Sequence, residues 1–488
     1  MRYSMLVHLT RMANTLLEAA QYLHDSPDAG LRDELIANGR QMLGQMKTTL
    51  LHYQSDLKSS APLDRLTCLE EVWDRAGEDE GIEDALREFT ADLPQEVNYQ
   101  VRAVFFAELG EKWDAMESVY TYMRDDPRFD PVVVLTPIFR IVQQANGETK
   151  QEVIYKDYLT PLGIPFFEYN EYDIEKDCPE LAFSSQPYES CTLPEFWAEN
   201  IAKYTRLVYL PYFLPDRVTQ NSVKALCQLP MYQYAWKVAG LNEKFLNFYR
   251  QHSYLGGTNM ILTGVPKTDP LVTLNTRDIP LPHGWEKLHG KKVFLWNSWY
   301  DINASSLRYF ENLIHWFDQH QDCALIWRPH PMTDTVTKLY YPDDYSRFQK
   351  YKSKISALPN GVLDCEVSCD AAFRYSDAQI SDYSSLMPQY LFVDKPLLWI
   401  KNPAWQMTGE EFISTAWMET AFCFSDIASF FECVCRGSDK NRCNRKRILD
   451  QDLCMSDGKC GIRICENMWS ALHEEHGIAA FTKKECAS

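Results

Sequence analysis

The spacing of hydrophobic positions changes near residue 100, and that change divides the chain. Before it, Met12, Leu16, Ala19, Ala20 and Leu23 recur at helical spacing, and HDSPDAG breaks the run. A second helix is predicted from Leu31 to about Leu57, and the acidic stretch Arg75–Glu83 is predicted as a solvated loop. From Val101 the apolar residues come in nearly unbroken runs: VRAVFFAEL, PVVVLTP, IPFFEY, RLVYLPYF and NMILTGVP, with helix-like segments between them. Such runs suit strands covered on both faces, and their alternation with helices predicts parallel pairing.

A second series starts near Lys291. KKVFLWNS, CALIWRPHP, NGVLDC and AQIS read as strands. The segment 303–319, with Leu307, Phe310, Leu313, Ile314 and Trp316–Phe317 inward, reads as a helix, as does 345–355. The predicted class is therefore α/β: two Rossmann-like, doubly wound domains facing a cleft, behind a helical N-terminal region. The expected spans are 1–97, 98–285 and 286–488. The helices of the first span are expected to serve self-association into a homo-oligomer, or docking of a partner. In open α/β sheets ligands bind beyond the carboxyl ends of the strands, so those ends in both halves are the candidate site.

Composition narrows the functions. The chain has 488 residues and a net charge of −19, which argues against general affinity for nucleic acid; RCNRKR (Arg442–Arg447) is a local exception read as a solvated face. No apolar stretch is long enough to cross a bilayer, and His8, Arg11 and Asn14 interrupt the N-terminus, so a cytoplasmic protein with at most peripheral membrane contact is expected. Eight of the 15 cysteines lie between Cys423 and Cys486, with one CxC and no CxxC, a pattern that favours free buried thiols over zinc; no metal and no cofactor are expected. DGKCGIRICENMWSAL is predicted as an amphipathic helix with Ile462, Cys465, Met468, Trp469 and Leu472 on its apolar face.

Two motifs carry candidate chemistry. In ISDYSSLMPQYLFVDKPLLWI, Asp382 or Ser384 is placed to cap a helix over Ser385–Val393, aiming its free N–H groups, Tyr383 and two serine hydroxyls into the cleft. Simple N-capping is the alternative. In WRPHPMTD, Arg328 and His330 stand two residues apart at a strand end, so both can project to one side; arginine offers a fork for phosphate oxygens and histidine a hydrogen bond or a proton. Together they describe a pocket for a pyrophosphate. Asn297 and Ser298, at the end of KKVFLWNS, and Gly264 join this candidate binding set.

RPHPM followed by SDAQISDYSSLMPQYLFVDKPLLW resembles the C-terminal domain of the CDP-glycerol glycerophosphotransferase family, teichoic-acid-type polymerases and primases of glycosyltransferase-B architecture. LTGVPKTDPL (Leu262–Leu271) resembles the family's G-x-P-R-x-D segment, with Lys267 where arginine is usual. VFFAELGEKWDAMESVYTYMRDDPRFDPVVVLTP looks like its first βαβ unit. The resemblance runs from Val101 to Leu472 and is most specific from Trp327 to Trp399. It implies transfer of glycerol phosphate from CDP-glycerol to a hydroxyl of a polymer or lipid-linked acceptor, releasing CMP. The first α/β domain would lie on the acceptor side and the second on the nucleotide side, with Arg328, His330, Asp382, Ser384 and Ser385 at the donor phosphates.

The family's His-Gly pair, whose histidine is taken as the base, has Pro211 and Tyr212 in its place, and Tyr212 or Asp216 is left to line the acceptor side. VFLWNSWYD also departs from the family's P-T-W-R loop. Another nucleotide-sugar donor, or a non-catalytic binding protein, are the other readings.

Overall fold

The computed structural model describes residues 1–25, 29–79, 81–143, 149–218, 226–382, 384–402 and 409–478. Four helices open it: α1 (Tyr3–Asp25), α2 (Ala29–His52), α3 (Ala61–Val72) and α4 (Gly81–Glu96). The predicted stripe of α1 is buried at Met12, Leu16, Ala20 and Leu23. α4 begins inside the stretch read as an acidic loop. Asp79 accepts from Gly81 N at 3.0 Å, and Glu83 and Asp84 in the first turn suit the positive end of the helix. The four helices share one core with the first sheet, where Leu6, Leu43, Trp73 and Phe89 are continuous with Val101, Phe105 and Phe183. Their apolar stripes are thus used within the chain.

The first sheet has seven strands: β1 (Val101–Ala107), β2 (Phe129–Leu135), β3 (Phe167–Glu168), β4 (Leu181–Ser184), β5 (Arg206–Tyr209), β6 (Lys237–Gly240) and β7 (Met260–Leu262). They lie in the order β7-β6-β5-β4-β1-β2-β3, every pair parallel. The second has six: β8 (Lys292–Ser298), β9 (Cys323–Pro329), β10 (Gly361–Leu363), β11 (Ala378–Ser381), β12 (Leu397–Ile400) and β13 (Glu419–Ala421), in the order β10-β9-β8-β11-β12-β13, again all parallel. Each sheet starts in its middle and winds outward both ways, so each has a switch point, β1/β4 and β8/β11, where a crevice opens at the carboxyl ends.

The chain ends by returning to its beginning. The helix Cys460–His476, within the last expected span, buries Ile464, Cys465, Met468, Trp469 and Leu472 in the first core. Ile462, predicted inward, is exposed, because the buried stripe runs through Ile464 instead. Asp269 caps this helix by accepting from Cys460 N at 2.9 Å and Gly461 N at 2.8 Å. Gly461 lets it approach the helix Glu117–Arg124, since a Cβ there would lie 2.8 Å from the backbone of Ser118. Arg128, buried with Asp126, donates to Glu466 Oε2 at 3.0 Å.

Of the tail cysteines expected as buried thiols, Cys460 and Cys465 are buried, whereas Cys435, Cys443 and Cys454 are exposed. In RCNRKR, Arg445 turns inward to Asp394 and Asp439 while Arg442, Lys446 and Arg447 face solvent. Among the described residues no helix is long and apolar enough to cross a membrane.

Candidate functional site at two facing strand edges

At the carboxyl edge of the second sheet, β8 lies between β9, which carries RPH, and β11, which carries DYSS. His330 leaves β9 half-buried; its backbone N donates to Ser298 O, and its ring lies 5.5 Å from Trp299 and 5.3 Å from Tyr300. Met332 N donates to His330 Nδ1 at 3.1 Å, so the neutral ring carries its proton on Nε2. Ser384 and Ser385 stand on the other side of the β8 exit loop, with Ser384 Oγ 3.4 Å from Ser381 Oγ and Ser385 exposed. Trp299 and Tyr300 were not singled out from sequence; two adjacent aromatics straight after a buried strand were the available signal.

Four expected binding residues turn out to hold the edge together. Asp382, 1% exposed, does not cap the helix that follows. Its carboxylate accepts from Trp299 N at 2.9 Å, Ser306 N at 2.9 Å and Ser306 Oγ at 2.6 Å, fastening the β8 exit loop. Burial raises its pKa, and these donors oppose the rise. The helix itself is short, Leu386–Tyr390, and its capping position, Ser385, makes no side-chain cap bond. Arg328 gives its fork to the chain: Nη1 donates to Asp364 Oδ2 at 2.7 Å and Nη2 to Val367 O at 3.1 Å. Asn297 Nδ2 donates to Arg328 O, and Ser298 Oγ accepts from Trp327 Nε1, so both cross-link buried strands. Tyr383 lies outside the described residues.

The D-K-P element is likewise structural. Asp394 takes the left-handed conformation, φ 53°, and Lys395 Nζ donates to the carbonyls of Phe373, Arg374 and Ser376 at the end of the helix Asp370–Tyr375.

Gly264 serves the same end. Its φ is 75°, and a Cβ there would run into the carbonyl of Met455 and Cys460 Sγ. Lys267, where the family pattern has arginine, is buried in an ion pair with Asp114. That segment therefore ties the helix Cys460–His476 and the first domain to the connection between the sheets.

At the facing edge of the first sheet, Tyr212 is half-buried, with Lys112 Nζ 4.7 Å above its ring. Burial, reinforced by Tyr188, Cys191 and Glu108, pushes the phenol far above its ordinary value, which removes it as a base near neutral pH. Asp216 anchors a connection: its carbonyl accepts from Phe412 N and Ile413 N beside the antiparallel pair Arg217–Val218 and Glu410–Glu411. Glu108, which sequence reasoning passed over, directly follows β1 at the switch point; a carboxylate straight after the apolar run AVFFA was its only mark. A cavity of about 440 Å³ lined by Met1, Asp56, Tyr99, Gln100 and Arg128 opens at the opposite, amino-terminal edge of this sheet.

The edges meet across the cleft. A Cβ on Gly110, just after β1, would lie 3.4 Å from Val367 Cγ1, beside the carbonyl that takes Arg328. Asp114 and Lys267 act electrostatically on Cys369 together with Arg328.

Comparison with known proteins gives this geometry its context. The family profile of CDP-glycerol:poly(glycerophosphate) glycerophosphotransferase matches residues 230–406, which include His330 and DYSS. No curated protein matches the chain in sequence. A structure of a UDP-N-acetylglucosamine 2-epimerase-like protein from Listeria monocytogenes superposes with a TM-score of 0.52 at 11% identity, covering 77% of this chain and 97% of that one. A structure of the wall teichoic acid polymerase TagF superposes with a TM-score of 0.50 at 13% identity, covering 86% and 99%. These likenesses show the shared two-domain glycosyltransferase-B fold. Over residues 230–406, a segment that holds both motifs, the chain is similar to the CDP-glycerol glycerophosphotransferase family.

Proposed function

We propose that the protein transfers a polyol phosphate, glycerol phosphate in the family's pattern, from a CDP-linked donor to a hydroxyl of a polymer or lipid-linked acceptor, releasing CMP. One observation carries the reading: the family match spans the strand edge on which His330 presents an Nε2–H beside Trp299 and Tyr300. The acceptor oxygen attacks the phosphorus bearing the polyol, and the CMP phosphate leaves. Negative charge grows on the leaving oxygen, and a fixed donor aimed at it lowers the barrier. His330 supplies that donor, Ser384 and Ser385 are the hydroxyls that reach the same edge, and Asp382 and Arg328 keep the loops around them in place.

The test pairs binding with turnover. CDP-glycerol should bind by calorimetry in preference to UDP- and GDP-linked donors, and His330→Ala should lose about 100-fold or more in turnover while keeping its fold. Preferential binding of UDP-linked sugars favours the second reading, a glycosyl donor. That reading draws on the fold shared with a protein named as a UDP-N-acetylglucosamine 2-epimerase. Donor binding with no turnover on any acceptor favours a binding protein.

A further inference from the structure

The acceptor hydroxyl must lose a proton, and His330 is committed to the other side of the reaction. The sequence has no histidine between His52 and His252, so the carboxyl ends of β1 to β5 offer none. It offers a carboxylate. Glu108, 4% exposed, accepts from Lys112 Nζ at 3.0 Å and from Gln186 Nε2 at 3.1 Å, both on Oε2. Among the described residues no donor meets Oε1.

At this edge Ser185 Oγ, next to Gln186, and Tyr158 OH, whose ionisation Glu108 opposes, are buried with no hydrogen-bond partner among the described residues. Buried hydroxyls left unpaired are costly unless a ligand completes them. The loop leaving Glu108 passes Gly110 and meets Val367 across the cleft, which puts this carboxylate on the wall opposite the nucleotide-side edge.

We propose that Glu108 is the general base for the acceptor hydroxyl and that Ser185 and Tyr158 bind a hydroxyl-rich acceptor beside it. The proposal rests on the transferase reading above. Oε1 takes the hydroxyl proton as the acceptor oxygen bonds to the polyol-bearing phosphorus. The bond from that phosphorus to the CMP phosphate oxygen breaks, and CMP leaves with the electron pair.

Burial raises the Glu108 carboxyl above the ordinary range, which makes the carboxylate a stronger base, while Lys112 and Gln186 oppose the rise. The other titratable groups around it are Tyr158 and Tyr212, both pushed up by burial, with Glu111 and Asp114 beyond Tyr158.

The experiment measures CMP release from CDP-glycerol by the full chain with a glycerol-phosphate-primed lipid, across pH, alongside calorimetric binding of CDP-glycerol. Glu108→Gln is expected to lose about 100- to 10,000-fold in turnover, to keep donor affinity within twofold and to lose the acid limb of the rate profile. Wild-type turnover in that variant overturns the proposal alone. If the wild-type chain releases no CMP, the transferase reading fails and the proposal falls with it. Should Glu108→Gln fail to fold, Lys112→Met serves instead: losing the neighbouring cation moves the acid limb to higher pH, and an unmoved limb overturns the assignment.

Discussion

Replacing Asp382 by alanine separates a residue that builds the site from one that touches substrate. The carboxylate is 1% exposed and takes hydrogen bonds from two backbone amides, Trp299 N and Ser306 N, and from the Ser306 hydroxyl. Alanine leaves those donors without an acceptor in the interior, at about 1–3 kcal/mol for each group stranded. Part of this is returned because a buried charge is removed, the penalty seen in the raised pKa of Asp382. Ser306 Oγ also keeps its bond from Trp296 Nε1. A net loss of about 2–4 kcal/mol follows. Asparagine should do little better, since its NH2 would face amide donors.

Urea unfolding of Asp382→Ala, Asp382→Asn and the wild type measures the loss directly. Ser385→Ala is the control, an exposed change expected within about 0.5 kcal/mol of wild type. Asp382→Ala with wild-type stability and a change confined to the donor KM would refute the reasoning and return this aspartate to the substrate.

Other predictions concern contacts that hold the fold together. His473 is buried at the helix that returns to the first core, donates through Nδ1 to Trp469 O, and is pushed down to about 4 from 6.5 by desolvation. The unfolded chain therefore binds the proton more readily, so the stabilisation is complete above pH 6.5 and lost as pH falls toward 4, by up to about 3 kcal/mol. His473→Gln should shrink this pH-dependent loss in unfolding experiments, and an unchanged profile contradicts it. Gly461→Ala should cost about 1–3 kcal/mol, read as a lower thermal midpoint, because its Cβ meets the Ser118 backbone at 2.8 Å. Arg328→Lys should lower stability by about 1–3 kcal/mol, since a single ammonium cannot serve Asp364, Val367 O and Ser368 O together. A variant with wild-type stability and a raised donor KM would place that guanidinium on substrate instead.

Much of the architecture was legible because buried parallel strands write long apolar runs: VRAVFFAEL and KKVFLWNS became β1 and β8. β4, β6 and β13 were not read, since LAFS, KVAG and ETA are too short to show a period. The return of Cys460–His476 to the first core was equally hidden, because its partners Ser118 and Asp126–Arg128 lie more than 300 residues away. The two motifs come together at one strand edge, yet sequence could not say which charges were already satisfied. Arg328 and Asp382 have the chemistry of ligand binders, and only folding brings Asp364 and Ser306 to claim them. Glu108 shows the reverse: one acidic residue after an apolar run looks ordinary until Lys112 and Gln186 converge on one of its oxygens.

The most direct test of the account is the stoichiometry of transfer. Incubated with CDP-glycerol and a glycerol-phosphate-primed lipid, the protein should release one CMP for each glycerol phosphate that mass spectrometry finds added to the acceptor, and His330→Ala should abolish both signals. CMP formed without growth of the acceptor, or acceptor growth only from a UDP- or GDP-linked donor, would contradict it.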